Sequence, residues 1–236
     1  MLVMVSNHAS WRTSFLAGRY GNVGLLYPPE RLFGPYPHLP YAMDNSCFAA
    51  WKNGEPWDEG TFVRALEWCE KQSLGPRWIV VPDVVGDSEA TLRSWERWAP
   101  EIKERGFVRA MAVQDGMTTE VVQAIAPEVV FVGGTREWKL GTAAEWAREF
   151  PRVHVGRVNG LRDLMRYHPM GVESVDGTGF FRGRRAQLME LVSYLAAFPE
   201  PIDIKEQHLF MPIEDGHPRL PFPEEAATPT LFKESF

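Results

Sequence analysis

The chain has 236 residues, of which 44% are hydrophobic and 24% charged, and its formal net charge is −6. This hydrophobic content supports a folded core and excludes a disordered chain as the default class. The balance of 25 Lys and Arg against 31 Asp and Glu argues against a globally basic nucleic-acid binder, although it leaves room for a local basic groove.

The chain has two cysteines, Cys47 and Cys69. Without a partner pattern they predict a reducing compartment and no cysteine-rich zinc site. No apolar run approaches the ~20 residues that a membrane helix needs, and the start of the sequence has no charged segment followed by an apolar one. We therefore expect a soluble, cytoplasmic protein without a membrane partner.

In chain order, short apolar runs alternate with segments of helical periodicity. The apolar runs predict strands over residues 2–6, 41–46, 78–83, 108–113, 129–132, 153–156 and 172–176. The periodic segments predict helices over residues 59–73, 87–105, 118–126, 142–149, 161–167 and 184–198. Residues 7–40 are rich in Gly, Pro and aromatics without a clean period, so we expect an irregular loop or cover there.

Continuous apolar strands that alternate with helices are typical of a parallel sheet covered on both faces. Seven such strands predict an α/β fold, a (β/α)8 barrel of the TIM type with an irregular or missing eighth strand. An open, doubly wound sheet is the alternative. We expect one barrel domain over residues 1–198 and an extended, Pro-rich tail over 199–236 that packs on the barrel.

The predicted strands finish with polar residues or glycines. These residues are Asp44, Asp83, Gln114, Gly133 with Gly134, His154 with Arg157, and Asp176. In a barrel these groups converge on one mouth, where they could bind a polar planar ring and do acid–base or nucleophilic chemistry. Asp176 could instead cap the next helix. A metal site of Asp44, Asp83, His154 and Asp176 is conceivable, but no HxH or HExxH spacing supports it, so we expect no metal and no cofactor.

These motifs, read together, resemble the tRNA-guanine transglycosylase superfamily, and most closely its short relatives that modify DNA with 7-deazaguanines. Residues 44–48 (Asp-Asn-Ser-Cys-Phe) are similar to the family's Asp-Ser-Gly-Gly-aromatic motif, and residues 113–116 (Val-Gln-Asp-Gly) to its Val-Gln-Gly-Gly strand end. Gly133 and Gly134 resemble its Gly-Gly turn, and residues 171–176 resemble the strand that presents the nucleophilic Asp. The cysteine cluster that holds zinc in the family has no counterpart here.

The resemblance implies a barrel enzyme that breaks the N-glycosidic bond of a base. Asp176 would be the nucleophile or the stabiliser of an oxocarbenium ion, and Asp44 would manage protons. The base would be contacted by Asp83, Gln114 and the backbone of Gly133 and Gly134, and Phe48 would stack on it.

The expected partner is DNA with a flipped, modified base, because a base inside a duplex is unreachable. Arg157, Arg182, Arg184 and Arg185 form a locally basic stretch that could contact the DNA backbone. The favoured function is a DNA glycosylase that leaves an abasic site, for example in defence against phage DNA with modified bases. Base exchange by a transglycosylase is the alternative, and a nucleic-acid-binding barrel without catalysis is an alternative of a different class.

Overall fold

The structure, a computed structural model, describes residues 1–6 and 10–200. Its strands are β1 (Leu2–Ser6), β2 (Val23–Tyr27), β3 (Tyr41–Met43), β4 (Ile79–Val80), β5 (Arg109–Val113), β6 (Val129–Val132), β7 (Val153–Val155) and β8 (Ser174–Gly177). Its α-helices are α1 (Trp11–Tyr20), α2 (Cys47–Asn53), α3 (Glu59–Glu70), α4 (Ser88–Glu104), α5 (Thr119–Ile125), α6 (Arg136–Glu149), α7 (Leu161–Tyr167), α8 (Gly179–Arg182) and α9 (Arg185–Ala197), and a 3₁₀ turn covers His168–Met170.

The eight strands form a closed, all-parallel barrel. Each strand pairs with the next one in chain order, and β8 pairs with β1, where Asp176 lies opposite Met4. The sequence prediction of a (β/α)8 barrel is therefore confirmed. The strand that the sequence prediction lacked is β2, and it is a regular strand of five residues.

Successive residues of each strand face the barrel interior and the surrounding helices in turn. The interior holds its own apolar cluster, formed by Leu2, Met4, Leu26, Ala42, Trp78, Val80, Ala110, Ala112 and Val129. The intervening residues pack outwards into the larger core beneath the helices. Because both faces of most strands are apolar, these strands read as continuous apolar runs. The exceptions are β7 and β8, whose inward residues are His154, Ser174 and Asp176.

The prediction of an irregular stretch over residues 7–40 is wrong, because α1 and β2 lie within it. The Ser10 side chain caps α1 by accepting a hydrogen bond from the Thr13 backbone N–H, and Gly21 ends the helix in the left-handed region at φ 80°. Gly24 lies inside β2 because a Cβ there would come within 2.6 Å of the Pro40 backbone oxygen. A strand with an internal glycine lacks the continuous apolar pattern that marks the other strands.

The predicted helix over residues 142–149 begins earlier than expected, at Arg136, because the Thr135 side chain caps it. The predicted tail over 199–236 lies outside the described residues except for its first two. Within the described residues, no helix has the length and the apolar character required to cross a membrane.

Candidate active site

A cavity of about 520 Å³ opens at the carboxyl ends of the barrel strands. It brings together, among its lining residues, Asp44, Phe48, Asp83, Gln114, Gly133, Gly134, Arg157 and Asp176, which are the predicted catalytic and base-binding residues with one of the predicted backbone arginines. Leu26, Val80, Ala112 and Phe131 also line it, and they supply an apolar surface from the barrel interior. Carboxylates above an apolar surface suit a ligand with a flat ring and a polar edge.

Asp176 lies inside the barrel near the end of β8, with 7% of its surface exposed. Its Oδ1 accepts two hydrogen bonds, from His154 Nε2 at 3.1 Å and from the Arg157 backbone N–H at 3.1 Å. The geometry therefore holds one oxygen of Asp176 fixed and leaves the carboxylate at the cavity wall.

His154 lies inside the barrel within β7 and is hydrogen-bonded to Asp176. From the sequence it was expected among the polar groups at the mouth and was also considered as a metal ligand. Its ring is fully buried and stacks on Phe131 at a centroid distance of 4.8 Å. Its Nδ1 lies 2.8 Å from Ser174 Oγ. An ionised Asp176 only accepts hydrogen bonds, so Nε2 carries a proton, and in the neutral ring Nδ1 accepts from the Ser174 hydroxyl. In β7, Val153 and Val155 face outwards, and side chains alternate along a strand. The pattern Val-His-Val therefore indicates that the His154 side chain faces the barrel interior.

Asp44 is a partly buried carboxyl directly after β3. Burial raises its pKa to about 7, and the negative charges of Asp176 and Asp83 act in the same direction. The Asn45 backbone N–H, which donates to Asp44 Oδ1 at 2.8 Å, opposes this shift without cancelling it. Asp44 is therefore able to hold a proton up to neutral pH, as a general acid requires.

Asn45 links the ends of β3 and β4 through its side chain, a role that no sequence pattern indicates. Its Nδ2 donates to Asp83 Oδ1 at 2.8 Å and to the Val81 backbone oxygen at 3.0 Å, while its Oδ1 accepts from the Cys47 N–H. Burial raises the pKa of Asp83, and the hydrogen bond from Asn45 partly offsets the shift. Asp83 is thus held in place at the cavity wall.

Gln114 lines the cavity, but its side-chain amide is engaged by the segment after β4. Its Nε2 donates to the Val84 backbone oxygen and to Thr91 Oγ1, each at 2.8 Å. Its Oε1 accepts from the Gly86 backbone N–H at 2.6 Å. These bonds favour a role in shaping the cavity wall over direct contact with a ligand.

The Gly133–Gly134 turn is ordered by Asp115. The Gly133 N–H donates to the Val113 backbone oxygen at 2.8 Å, so it belongs to the sheet. Gly134 adopts φ 73°, and a Cβ there would overlap the Asp115 carboxylate. That carboxylate accepts hydrogen bonds from the backbone N–H and the hydroxyl of Thr135 at 2.7 and 2.6 Å. Glycine at position 134 is therefore required for this packing.

Arg157 closes one side of the cavity mouth. Its guanidinium lies over the Phe48 ring, 4.2 Å from the centroid, and donates to the Gly134 backbone oxygen. One face of the predicted stacking residue, Phe48, is therefore covered by Arg157.

The nearby Lys139, which is 3% exposed, donates from Nζ to the Gly156 backbone oxygen. Burial and the charge of Arg157 lower the pKa of Lys139 to about 8.

The other predicted backbone arginines do not line this cavity. Arg182, Arg184 and Arg185 are exposed, and Arg184 and Arg185 line a separate cavity between α1, α8 and α9.

In the described part of the chain, no three His, Cys, Asp or Glu side chains are grouped so that they could hold a metal ion. Comparison of the chain with protein-family models and with curated proteins finds no match.

Proposed function

We propose that the protein cleaves the N-glycosidic bond of a modified base in DNA. The observation that carries the proposal is the pairing of two unlike carboxyl groups in one cavity. Asp176 is held at the cavity wall by two hydrogen bonds to its Oδ1, and Asp44 retains a proton to about pH 7. Enzymes that break glycosidic bonds use such a pair, one carboxylate for the sugar carbon and one acid for the leaving group.

The first step follows from these roles. Ionised Asp176 attacks C1′ of the deoxyribose, the bond from C1′ to the base nitrogen breaks, and Asp44 gives its proton to the departing base. The sugar is then joined to Asp176 as an ester. In the second step a water molecule gives a proton to ionised Asp44 and attacks C1′, which releases Asp176 and leaves an abasic site.

The remaining lining residues suit a base that has left the helix stack. Leu26, Val80 and Phe131 offer the ring an apolar surface, and Asp83 offers its edge a hydrogen-bonding oxygen. Arg157, held at the mouth against Phe48, would contact the phosphate of the flipped nucleotide.

A second candidate function is base exchange, in which a free base replaces water in the second step. The apolar surface beside Asp176 favours it, because Leu26, Val80, Ala112 and Phe131 give a ring more contacts than they give a water molecule. Ionised Asp44 would then take the proton of the entering base. Both functions use the same ester with Asp176.

The experiment incubates the protein with oligonucleotides that each carry one guanine, 7-deazaguanine or bulkier modified base. Mass spectrometry detects released bases, and alkaline cleavage of the strand detects abasic sites. A released base with an abasic site supports hydrolysis, whereas uptake of an added isotope-labelled base without abasic sites supports exchange. Intact substrates throughout, with the protein folded and bound to DNA, contradict the proposal.

A further inference from the structure

A second cavity, of about 580 Å³, lies beside the barrel between α1, α8 and α9. Its walls combine cations with apolar side chains. Arg12, Arg184 and Arg185 supply the positive charge, and Leu188 and Met189 are among the apolar residues. A mixed lining of this kind fits a ligand that carries both an anionic group and an apolar face.

This cavity shares the catalytic face of the barrel. Arg12 lies in the first turn of α1, the helix that follows β1, and Arg184 and Arg185 lie where α9 begins after β8 and α8. Helices that follow barrel strands begin at the carboxyl ends of those strands. Because β1 and β8 are neighbours and Asp176 is on β8, the three arginines lie on the same side of the mouth as Asp176.

The three arginines keep their charge available for a ligand. Among residues 1–6 and 10–200, no ion pair engages Arg12, Arg184 or Arg185, although many of the other arginines there pair with carboxylates. Unpaired arginines grouped at one cavity are typical of phosphate recognition, because the guanidinium fork matches phosphate oxygens.

An exposed aromatic side chain, Trp11, lies next to the Arg12 guanidinium. Trp11 is 74% exposed, and the Arg12 guanidinium lies 5.5 Å from the centroid of its ring. Exposed aromatic rings beside arginines bind unpaired nucleotides, whose bases stack on the ring while their phosphates meet the cations. A paired nucleotide cannot offer its base in this way.

We infer that the second cavity binds a nucleotide adjacent to the target on the same strand, with its phosphate at Arg12, Arg184 and Arg185 and its base unpaired against Trp11. This inference rests on the proposed function and narrows its substrate to DNA that is single-stranded or opened around the target. The cavity is distinct from the first one in residues and in role, since none of its lining residues in the described part of the chain is a carboxylate.

The test measures the fluorescence anisotropy of a labelled single-stranded oligothymidine of twelve nucleotides. This probe reports binding of single-stranded DNA and carries no modified base that could be released. The triple variant Arg12→Gln, Arg184→Gln, Arg185→Gln should bind more weakly than wild type. Its slope of log affinity against log salt should be smaller by about 0.7, since the three arginines hold one phosphate and each phosphate contact on a single strand contributes about that amount. Trp11→Ala should weaken binding at least about fivefold.

Arg148→Gln is the matched control, because this arginine is also exposed but lies at the far end of α6, away from the catalytic face. It should keep the wild-type affinity and salt slope. Wild-type binding by the triple variant, or equal affinity for the single strand and a fully paired duplex, overturns the inference. If the arginine dependence holds but no DNA base is ever released, the proposed function fails and the strand-binding cavity remains.

Discussion

Asp44→Asn should make the protein more stable than wild type at alkaline pH. Burial and the charges of Asp176 and Asp83 raise the pKa of Asp44 from 3.8 to about 7 in the folded protein. The folded state therefore binds a proton that the unfolded state has already released, so the free energy of unfolding of the wild type falls as the pH rises from about 4 to about 7. An asparagine carries no charge at any of these pH values, so this loss disappears.

The size of the effect follows from the shift in pKa. A shift of roughly three units corresponds to at most ~4 kcal/mol, at about 1.36 kcal/mol for each unit. Asp44 is only partly buried, so solvent screening lowers the expected gain to ~2 kcal/mol. At pH 4, close to the unfolded-state pKa of 3.8, little of this stability has been lost, and the two proteins should differ little.

The assay is urea denaturation of both proteins at pH 4, 6 and 8. Glu96→Gln on the exposed surface of α4 is the control, because it removes the same charge without burial. The stability difference between Asp44→Asn and wild type should grow with pH, while that of the control stays constant. A constant difference for Asp44→Asn would refute the account of Asp44 as a proton-holding group.

Three further outcomes are expected. Base release should slow as the pH rises through about 7, because Asp44 loses its proton, and a rate that is flat to pH 9 contradicts its role as the acid. His154→Phe should lower kcat with little change in KM, and should cost ~1–3 kcal/mol of stability, because Ser174 and Asp176 lose a hydrogen-bond partner. An unchanged kcat removes His154 from the account. Gln114→Ala should cost ~1–3 kcal/mol in denaturation while the choice of base is kept, and a changed choice at full stability would assign Gln114 to base reading.

The barrel could be predicted from the sequence because seven of its strands contain short apolar runs that alternate with helical segments. A strand such as Val129–Val132 has no polar residue to face solvent, so it belongs in a covered parallel sheet. β2 was missed because Gly24 interrupts its apolar run, and the reason for that glycine is the close approach of the Pro40 backbone. A contact between two segments of this kind is invisible in the local pattern.

The carboxylates at the cavity could be predicted because strand ends in a closed barrel meet at one mouth. Asp44, Asp83 and Asp176 were all found in this way. Side-chain contacts between residues from separate loops could not be predicted from the sequence. The hydrogen bonds of Gln114 to the segment after β4 and the position of Arg157 over Phe48 depend on how separate loops pack.

The most direct test compares wild type with Asp176→Asn on the best modified oligonucleotide under single-turnover conditions, with DNA binding measured in parallel. We expect normal binding by the variant, no released base in mass spectrometry, and no protein–DNA ester after rapid denaturation. Asparagine keeps the shape of the side chain but lacks the nucleophilic carboxylate. Release of the base by Asp176→Asn at the wild-type rate would contradict the central role of Asp176.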